Sequence, residues 1–165
     1  MAWTNAPLVV YHGTDEPSAR RIVQPRPGSP NGIDLAVCSP TDVDFGQGFY
    51  VTTFRTEAEH WATLRATING GLRPAVVSFE IDRDEIATLG DHLAFVLPDD
   101  GFFDFVECNR TGYPPHHARQ VARPYDLVYG PISVHGERLH IEDWDQICFL
   151  SQRAVNCLKR AQILP

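Results

Sequence analysis

The chain has 165 residues, of which 43% are hydrophobic, so it is long enough to bury the core of one ordinary globular domain. Its formal net charge is −7 and it contains no basic run, which disfavours unspecific binding to nucleic acid or to an anionic membrane surface. No stretch of about 18 consecutive apolar residues occurs, so no membrane-spanning segment is predicted.

The N-terminus and the cysteines indicate a cytoplasmic compartment. Residues 1–7 lack a basic region followed by an apolar run, so no signal peptide is predicted. The four cysteines form no Cys-x-x-Cys pair, and we expect reduced, mostly buried thiols rather than disulfides or a zinc site. The adjacent His116 and His117 lack the spacing of metal ligands, so they predict a solvated loop and no metal.

The first predicted elements are a strand and a short helix. Residues 8–12 form an apolar run that ends in His12 and Gly13 and predicts a strand. Asp15 or Thr14 then caps a helix that carries Pro17 in its first turn and stops at residues 24–28. Thirteen prolines and twelve glycines favour such a mixed α/β chain over a helical bundle.

The central stretch, residues 44–53, combines a glycine turn with an aromatic strand. Gly46 and Gly48 allow a close approach of the backbone to a ligand, and residues 49–53 are all aromatic or β-branched. Thr56 and Glu59 have the spacing of a capping box, which predicts a helix that starts near Thr56 and ends near Asn69.

The second half predicts alternating short elements. We expect a strand at residues 75–81, helices at 83–89 and 102–110, and strands at 125–132 (broken by Gly130 and Pro131), 138–141 and 146–150. Ser151 is expected to cap a final helix with Ala154, Val155 and Leu158 facing inward. No repeat, linker or low-complexity segment occurs, which predicts a single domain over residues 1–165.

Three motifs stand in a specific order along the chain. Residues 11–14 read Tyr-His-Gly-Thr at a strand end, residues 45–50 read Phe-Gly-Gln-Gly-Phe-Tyr before a strand, and a late strand begins with Gln146. This order resembles the catalytic domain of ADP-ribosyltransferases, in the branch with a His-Tyr-Glu triad that includes the poly(ADP-ribose) polymerases. Trp61 falls where those polymerases carry a second aromatic ring. Nearly the whole chain also resembles a bacterial family of uncharacterised domains in the same superfamily, through residues 11–14, 32–35, 44–50, 105–110, 125–131 and 145–149.

The resemblance implies an α+β fold with a split antiparallel β-sheet core, flanking helices and an NAD cleft between the half-sheets. It implies that the catalytic positions are His12, which bonds a ribose hydroxyl, Tyr50, which stacks on nicotinamide, and Gln146. It further implies cofactor contacts at Gly13, Thr14, Gly48, Phe49, Trp61, Asn109 and Arg110. Gly13 would contact the nicotinamide amide, Trp61 would stack beside Tyr50, and Asn109 and Arg110 would contact the pyrophosphate or the acceptor.

Gln146 departs from the pattern of the polymerases, which have glutamate there. A glutamine can hydrogen-bond the ribose 2′-hydroxyl, but it supplies no negative charge and no general base. Polymer elongation is therefore disfavoured, whereas transfer of one ADP-ribose stays open if the acceptor supplies the base. Glu107 and Glu142 are candidates to restore the carboxylate.

The leading hypothesis is an NAD-dependent mono-ADP-ribosyltransferase that modifies an unknown macromolecular acceptor, a protein or a nucleic acid. Family analogy further predicts that the protein is a small bacterial toxin with a neutralising protein partner, as in a toxin–antitoxin pair. The alternatives are an NAD glycohydrolase, an inactive domain that binds NAD, ADP-ribose or a partner, and RNA-directed phosphate chemistry, which the scarcity of basic residues disfavours.

Each candidate residue also has a structural interpretation. His12 would be a structural histidine, Tyr50 and Trp61 core aromatics, and Gln146 an inert strand residue. Arg110 would be a cation that stabilises the C-terminal end of its helix through the helix dipole. We expect Asp34 and Asp44 to be turn residues that bond their own backbone.

Overall fold

The computed structural model describes residues 5–40, 42–111, 125–134 and 137–165. Its helices are α1 (Glu16–Ile22), α2 (Arg55–Ile68), α3 (Arg83–Ala87), α4 (Asp100–Thr111) and α5 (Gln152–Val155), with a 3₁₀ helix at Leu35–Val37. Its strands are β1 (Leu8–Asp15), β2 (Phe49–Val51), β3 (Pro74–Ile81), β4 (His92–Ala94), β5 (Leu127–Ser133), β6 (His140–Phe149) and β7 (Leu158–Ile163). Two sheets with separate helices confirm the predicted α+β class.

The chain divides into two compact units. The first unit takes its described residues from Met1–Ile33, Val51–Leu89 and Arg153–Pro165, and the second from Asp34–Tyr50 and Gly90–Gln152. The expectation of one domain over residues 1–165 stays a prediction.

The first unit is built on a three-stranded antiparallel sheet in the order β1-β3-β7. Helix α2 lies against this sheet, where Ala58 and Ala62 form a small cluster with Val76. A Cβ atom on Gly13 would lie 2.0 Å from the carbonyl oxygen of Ala58 and 2.6 Å from the backbone nitrogen of Ala62. Glycine at this position is therefore what lets the strand and the helix approach so closely.

The second unit contains the four-stranded sheet, in the order β2-β6-β5-β4. Strand β5 is antiparallel to β6 and parallel to β4. Helix α4 buries Phe102 and Phe105, whose rings meet the ring of Phe45 edge-on at 6.4 and 6.1 Å between centroids. This aromatic cluster is the core of the second unit, and it fixes the segment that begins at Asp44.

Most of the predicted elements are confirmed. Asp15 caps α1, because its Oδ1 accepts a hydrogen bond of 2.8 Å from the backbone nitrogen of Ser18. Asp34 is a turn residue whose side chain accepts from the backbone nitrogen of Ala36 at 3.0 Å. The helix expected near Thr56 starts one residue earlier, at Arg55.

The capping box expected at that helix start is wrong. Phe54 is the N-cap residue and makes no side-chain cap, so Thr56 already lies inside the helix. Glu59 instead pairs with Arg55 at 2.8 Å, as residues four apart on one helical face can. Thr52 helps to hold the helix start, since its hydroxyl accepts from the backbone nitrogen of Phe54 at 3.1 Å.

The last third of the chain corrects several further boundaries. The final helix ends at Val155, and Leu158 begins β7, which pairs with β3. The strands expected at 138–141 and 146–150 are one strand, β6, and its Asp143, with a φ of 62°, lies where its pairing with β5 shifts register. Strand β5 continues through Gly130 and Pro131 with a shift of register after Pro131. Strand β4 and the 3₁₀ helix, each of three residues, were not predicted.

Two features bear on compartment and chemistry. None of the four cysteines, all within the described residues, forms a disulfide; Cys148 and Cys157 are buried, and Cys38 and Cys108 are half-buried. Within the residues that the structure describes, no helix is long and apolar enough to cross a membrane.

Candidate functional site

A buried polar network lies in the second unit around Asp44, which is only 5% exposed to solvent. Its Oδ1 accepts from Arg110, with 3.0 Å to Nε and 2.6 Å to Nη2. Its Oδ2 accepts from the backbone nitrogen of Ser133 at 3.0 Å and from Nε2 of Gln146 at 2.6 Å. The expectation that Asp44 bonds only its own turn is therefore wrong, because its carboxylate joins residues from three distant parts of the chain.

Gln146 lies on β6 and is 8% exposed. Its Nε2 donates to Asp44 and, at 2.9 Å, to the carbonyl oxygen of Pro131. Glu107 and Glu142, the expected sources of a carboxylate, are both exposed to solvent. The carboxylate beside Gln146 is that of Asp44. Its signal in the sequence was its position directly before the glycine turn.

Arg110 and Asn109, at the end of α4, are also bound into this network. The Arg110 guanidinium donates to the carbonyl oxygens of Ser133 at 3.2 Å and Val134 at 3.3 Å, besides its ion pair with Asp44. Nδ2 of Asn109 donates to the backbone oxygen of Asp44 at 3.2 Å. Their predicted contacts with pyrophosphate or acceptor stay predictions, and each residue has a structural role in any case.

Tyr50 closes the glycine turn through its hydroxyl. The hydroxyl accepts from the backbone nitrogen of Phe45 at 2.9 Å and donates to the carbonyl oxygen of Gly46 at 2.8 Å. Its ring stacks on that of Phe45, with centroids 6.3 Å apart. Burial raises the pKa of Tyr50 well above its usual range, and the neighbouring Cys148 raises it further. The shift favours the neutral phenol, whose hydroxyl can both accept from Phe45 and donate to Gly46.

Glycine is required at positions 46 and 48 of the turn for two different structural reasons. Gly46 has a φ of 94°, a left-handed conformation that side chains rarely adopt. A Cβ atom on Gly48 would lie 2.4 Å from Sγ of Cys148 and 2.8 Å from the carbonyl oxygen of Phe149. Gly48 therefore permits β2 to lie close against β6, the strand that carries Gln146.

The remaining predicted site residues lie in the first unit. His12 and Gly13 are half-buried on β1, where they pair with Val77 and Val76, and the neighbouring Thr14 is buried. Trp61 is half-buried on α2 and meets the ring of His60 edge-on at 6.1 Å.

The structure thus brings together six of the ten predicted positions within the second unit: Gly48, Phe49, Tyr50, Asn109, Arg110 and Gln146. The first unit carries the other four: His12, Gly13, Thr14 and Trp61. The residue that sequence reasoning missed is Asp44, the hydrogen-bond partner of Gln146.

Within residues 5–40, 42–111, 125–134 and 137–165, no group of three or more His, Cys, Asp or Glu side chains could hold a metal ion. The predicted solvated loop at His116 and His117 lies outside the described residues.

Comparison with known proteins gives one result. Residues 8–137, which are 130 of the 165, match the family described as Protein of unknown function (DUF3990). The chain belongs to this family. No curated protein and no solved structure matches the chain. The family match covers the glycine turn, Asp44 and Arg110, and it ends before Gln146.

Proposed function

We propose that this member of the DUF3990 family is an NAD-dependent mono-ADP-ribosyltransferase with an ADP-ribosyltransferase fold. NAD is its substrate, and a protein or nucleic acid is the acceptor. The motifs at residues 11–14 and 45–50, and the position of Gln146 on the late strand β6, support this proposal through their resemblance to that superfamily. The further expectation of a cytoplasmic bacterial toxin with a neutralising protein partner rests on family analogy.

The observation that carries the proposal is an unsatisfied hydroxyl beside the Asp44 network. Oγ of Ser133 is the one buried side-chain nitrogen or oxygen atom in the described part of the chain that lacks a hydrogen-bond partner. The backbone nitrogen of the same residue donates to Asp44, and its carbonyl oxygen accepts from Arg110. Because buried polar groups are nearly always paired in native proteins, such an atom requires a polar partner that the described residues do not supply. A ribose hydroxyl of NAD is a group of this kind.

One observation favours a second candidate, a domain that binds NAD or ADP-ribose without turnover. The carboxylate of Asp44 is neutralised by Arg110, and Gln146 cannot accept a proton at neutral pH. The network therefore offers no general base, and any catalysis must take its base from the acceptor or from the substrate.

The test is an incubation of the purified chain with NAD labelled in its adenine ribose, with and without whole-cell lysate. We expect label on a macromolecule when lysate is present, with release of one nicotinamide for each ADP-ribose transferred. Tyr50→Ala and His12→Ala should abolish the labelling. Val9→Ala, an exposed position on β1, serves as the control that retains it.

The remaining outcomes separate the alternatives. Rapid release of nicotinamide without lysate and without labelling would establish an NAD glycohydrolase. Binding of NAD in a calorimeter with no release under either condition would establish the inactive binding domain. A wild-type chain that neither binds nor consumes NAD would refute the proposal.

A further inference from the structure

The orientation of the Gln146 side-chain amide is dictated by its neighbours. The carboxylate of Asp44 and the carbonyl oxygen of Pro131 are both acceptors, and they lie 2.6 and 2.9 Å from the amide nitrogen. Only the NH₂ group fits between two acceptors, so the carbonyl oxygen Oε1 must point the other way. Among the described residues, none donates a hydrogen bond to Oε1.

Asp44 is fixed just as fully from its own side. Arg110, the backbone nitrogen of Ser133 and Gln146 are all donors, and together they use both carboxylate oxygens. An ion pair with a guanidinium, added to these neutral donors, holds a buried carboxylate more tightly than neutral donors alone would. Asp44 is therefore a rigid reference point for the amide of Gln146.

The same geometry explains why residue 146 is glutamine. A glutamate at this position would direct a carboxylate oxygen at Asp44 and at the oxygen of Pro131, with no proton between them. Like charges at this separation cannot both remain ionised, so such a pair would have to share a proton. The neutral amide avoids this conflict, and the negative charge of the network resides on Asp44.

We propose that Asp44 is a positioning residue for ligand binding, which holds the Gln146 amide so that Oε1 accepts a hydrogen bond from a ribose hydroxyl of NAD. This inference rests on the proposed function and deepens it. Asp44 does not touch the ligand, and it acts through Gln146. Selectivity for the hydroxylated ribose then depends on Asp44, although this residue lies 102 positions from Gln146 in the chain.

The test compares the dissociation constants of NAD and of an NAD analogue that lacks the 2′-hydroxyl on the nicotinamide ribose. In the wild-type chain we expect NAD to bind about tenfold more tightly than the analogue. A ratio of about ten between the two dissociation constants is what the loss of one hydrogen bond to a well-held acceptor produces. In Gln146→Ala and in Asp44→Ala this ratio should fall to about one. A general loss of stability weakens both ligands alike and leaves the ratio unchanged.

The matched control is Asp126→Ala. Asp126 is a buried aspartate of the same unit, and it accepts from the Ser151 hydroxyl at 2.5 Å instead of from Gln146. This variant should lose stability and keep the tenfold ratio. An Asp44→Ala protein that is folded and also keeps the ratio would overturn the proposal.

A second measurement needs neither NAD nor a variant of Asp44. In side-chain amide NMR spectra, the NH₂ protons of Gln146 should exchange with solvent at least about tenfold more slowly than those of Gln162, which is exposed. Equal exchange rates would show that the amide is not held, and they would overturn the inference. If the wild-type chain binds no NAD although its Gln146 amide is protected, the proposed function and the ribose role fail while the positioning by Asp44 stands.

The variant Gln146→Glu gives an independent check. Because the new carboxylate at position 146 faces Asp44, its pKa should be higher in the folded state than in the unfolded state. The folded variant then binds one proton that the unfolded variant has released. Its melting temperature should therefore fall, relative to wild type, as the pH rises from about 5 to about 8. A melting temperature that follows wild type across this range would show that residue 146 does not face the carboxylate.

Discussion

The hydroxyl of Tyr50 provides the sharpest test of the glycine turn, because Tyr50→Phe removes this one atom and keeps the ring. The hydroxyl holds two backbone groups, the nitrogen of Phe45 at 2.9 Å and the carbonyl oxygen of Gly46 at 2.8 Å. Phe45 is almost fully buried, so its N–H would lose its partner without gaining water. A buried donor without a partner lowers the free energy of unfolding by about 1 to 3 kcal/mol. The unpaired carbonyl of Gly46, which is more accessible to water, lowers it by less.

We therefore expect Tyr50→Phe to lower the free energy of unfolding by about 2 kcal/mol, or roughly 4 to 8 °C in Tm for a chain of this size. Urea denaturation measures the loss, and hydrogen exchange at the Phe45 amide should accelerate. Tyr11→Phe is the control, because no described residue hydrogen-bonds the Tyr11 hydroxyl. A Tyr50→Phe protein within about 0.5 kcal/mol of wild type would refute the role of the hydroxyl. If Tyr50 stacks on nicotinamide, the same variant retains NAD binding and Tyr50→Ala loses it.

Two further predictions concern the first unit. Gly13→Ala should destabilise it by about 3 kcal/mol in urea denaturation, because the new methyl group would lie 2.0 Å from the Ala58 carbonyl oxygen and both elements resist movement; an unchanged midpoint would contradict this close approach. Asp15→Ala should cost about 1 kcal/mol at pH 7, since Asp15 caps α1 through Ser18 and also accepts from Asn69 at 2.8 Å. Burial opposes ionisation of Asp15, but these hydrogen bonds keep its pKa below the usual 3.8. Its contribution is therefore complete above about pH 4 and is lost as the pH falls further, so melting curves of variant and wild type should converge in acid and stay apart at neutral pH.

Local sequence patterns predicted an element correctly where its conformation depends on residues within the same short segment. The cap at Asp15, the glycine end of α2 and the alternating apolar residues of β3 each depend on neighbours within a turn or on one face of a strand. The final helix is confirmed at Gln152–Val155, but its predicted extension to Leu158 is wrong because pairing with a distant strand decides that residue. Ala154, Val155 and Leu158 have helical spacing, but pairing with β3 draws Leu158 into a strand.

The interpretation of Gly13 shows how one residue type can satisfy two explanations. The resemblance implies that Gly13 contacts the nicotinamide amide, for which a residue without a side chain is suited. The structure gives a sufficient reason of its own, the close approach of Ala58 and Ala62 in α2. A contact of Gly13 with nicotinamide stays a prediction, and the absence of a side chain does not argue for it.

The sequence by itself determined the α+β class, most helices and strands, and the order of three motifs around His12, Tyr50 and Gln146. Only the tertiary structure decided that Asp44 is the partner of Gln146. These residues lie 102 positions apart, and no local pattern encodes a hydrogen bond between them. Their contact depends on the fold of the second unit, which brings the carboxylate, the guanidinium of Arg110 and the amide together in a largely buried position, where polar groups pair with one another.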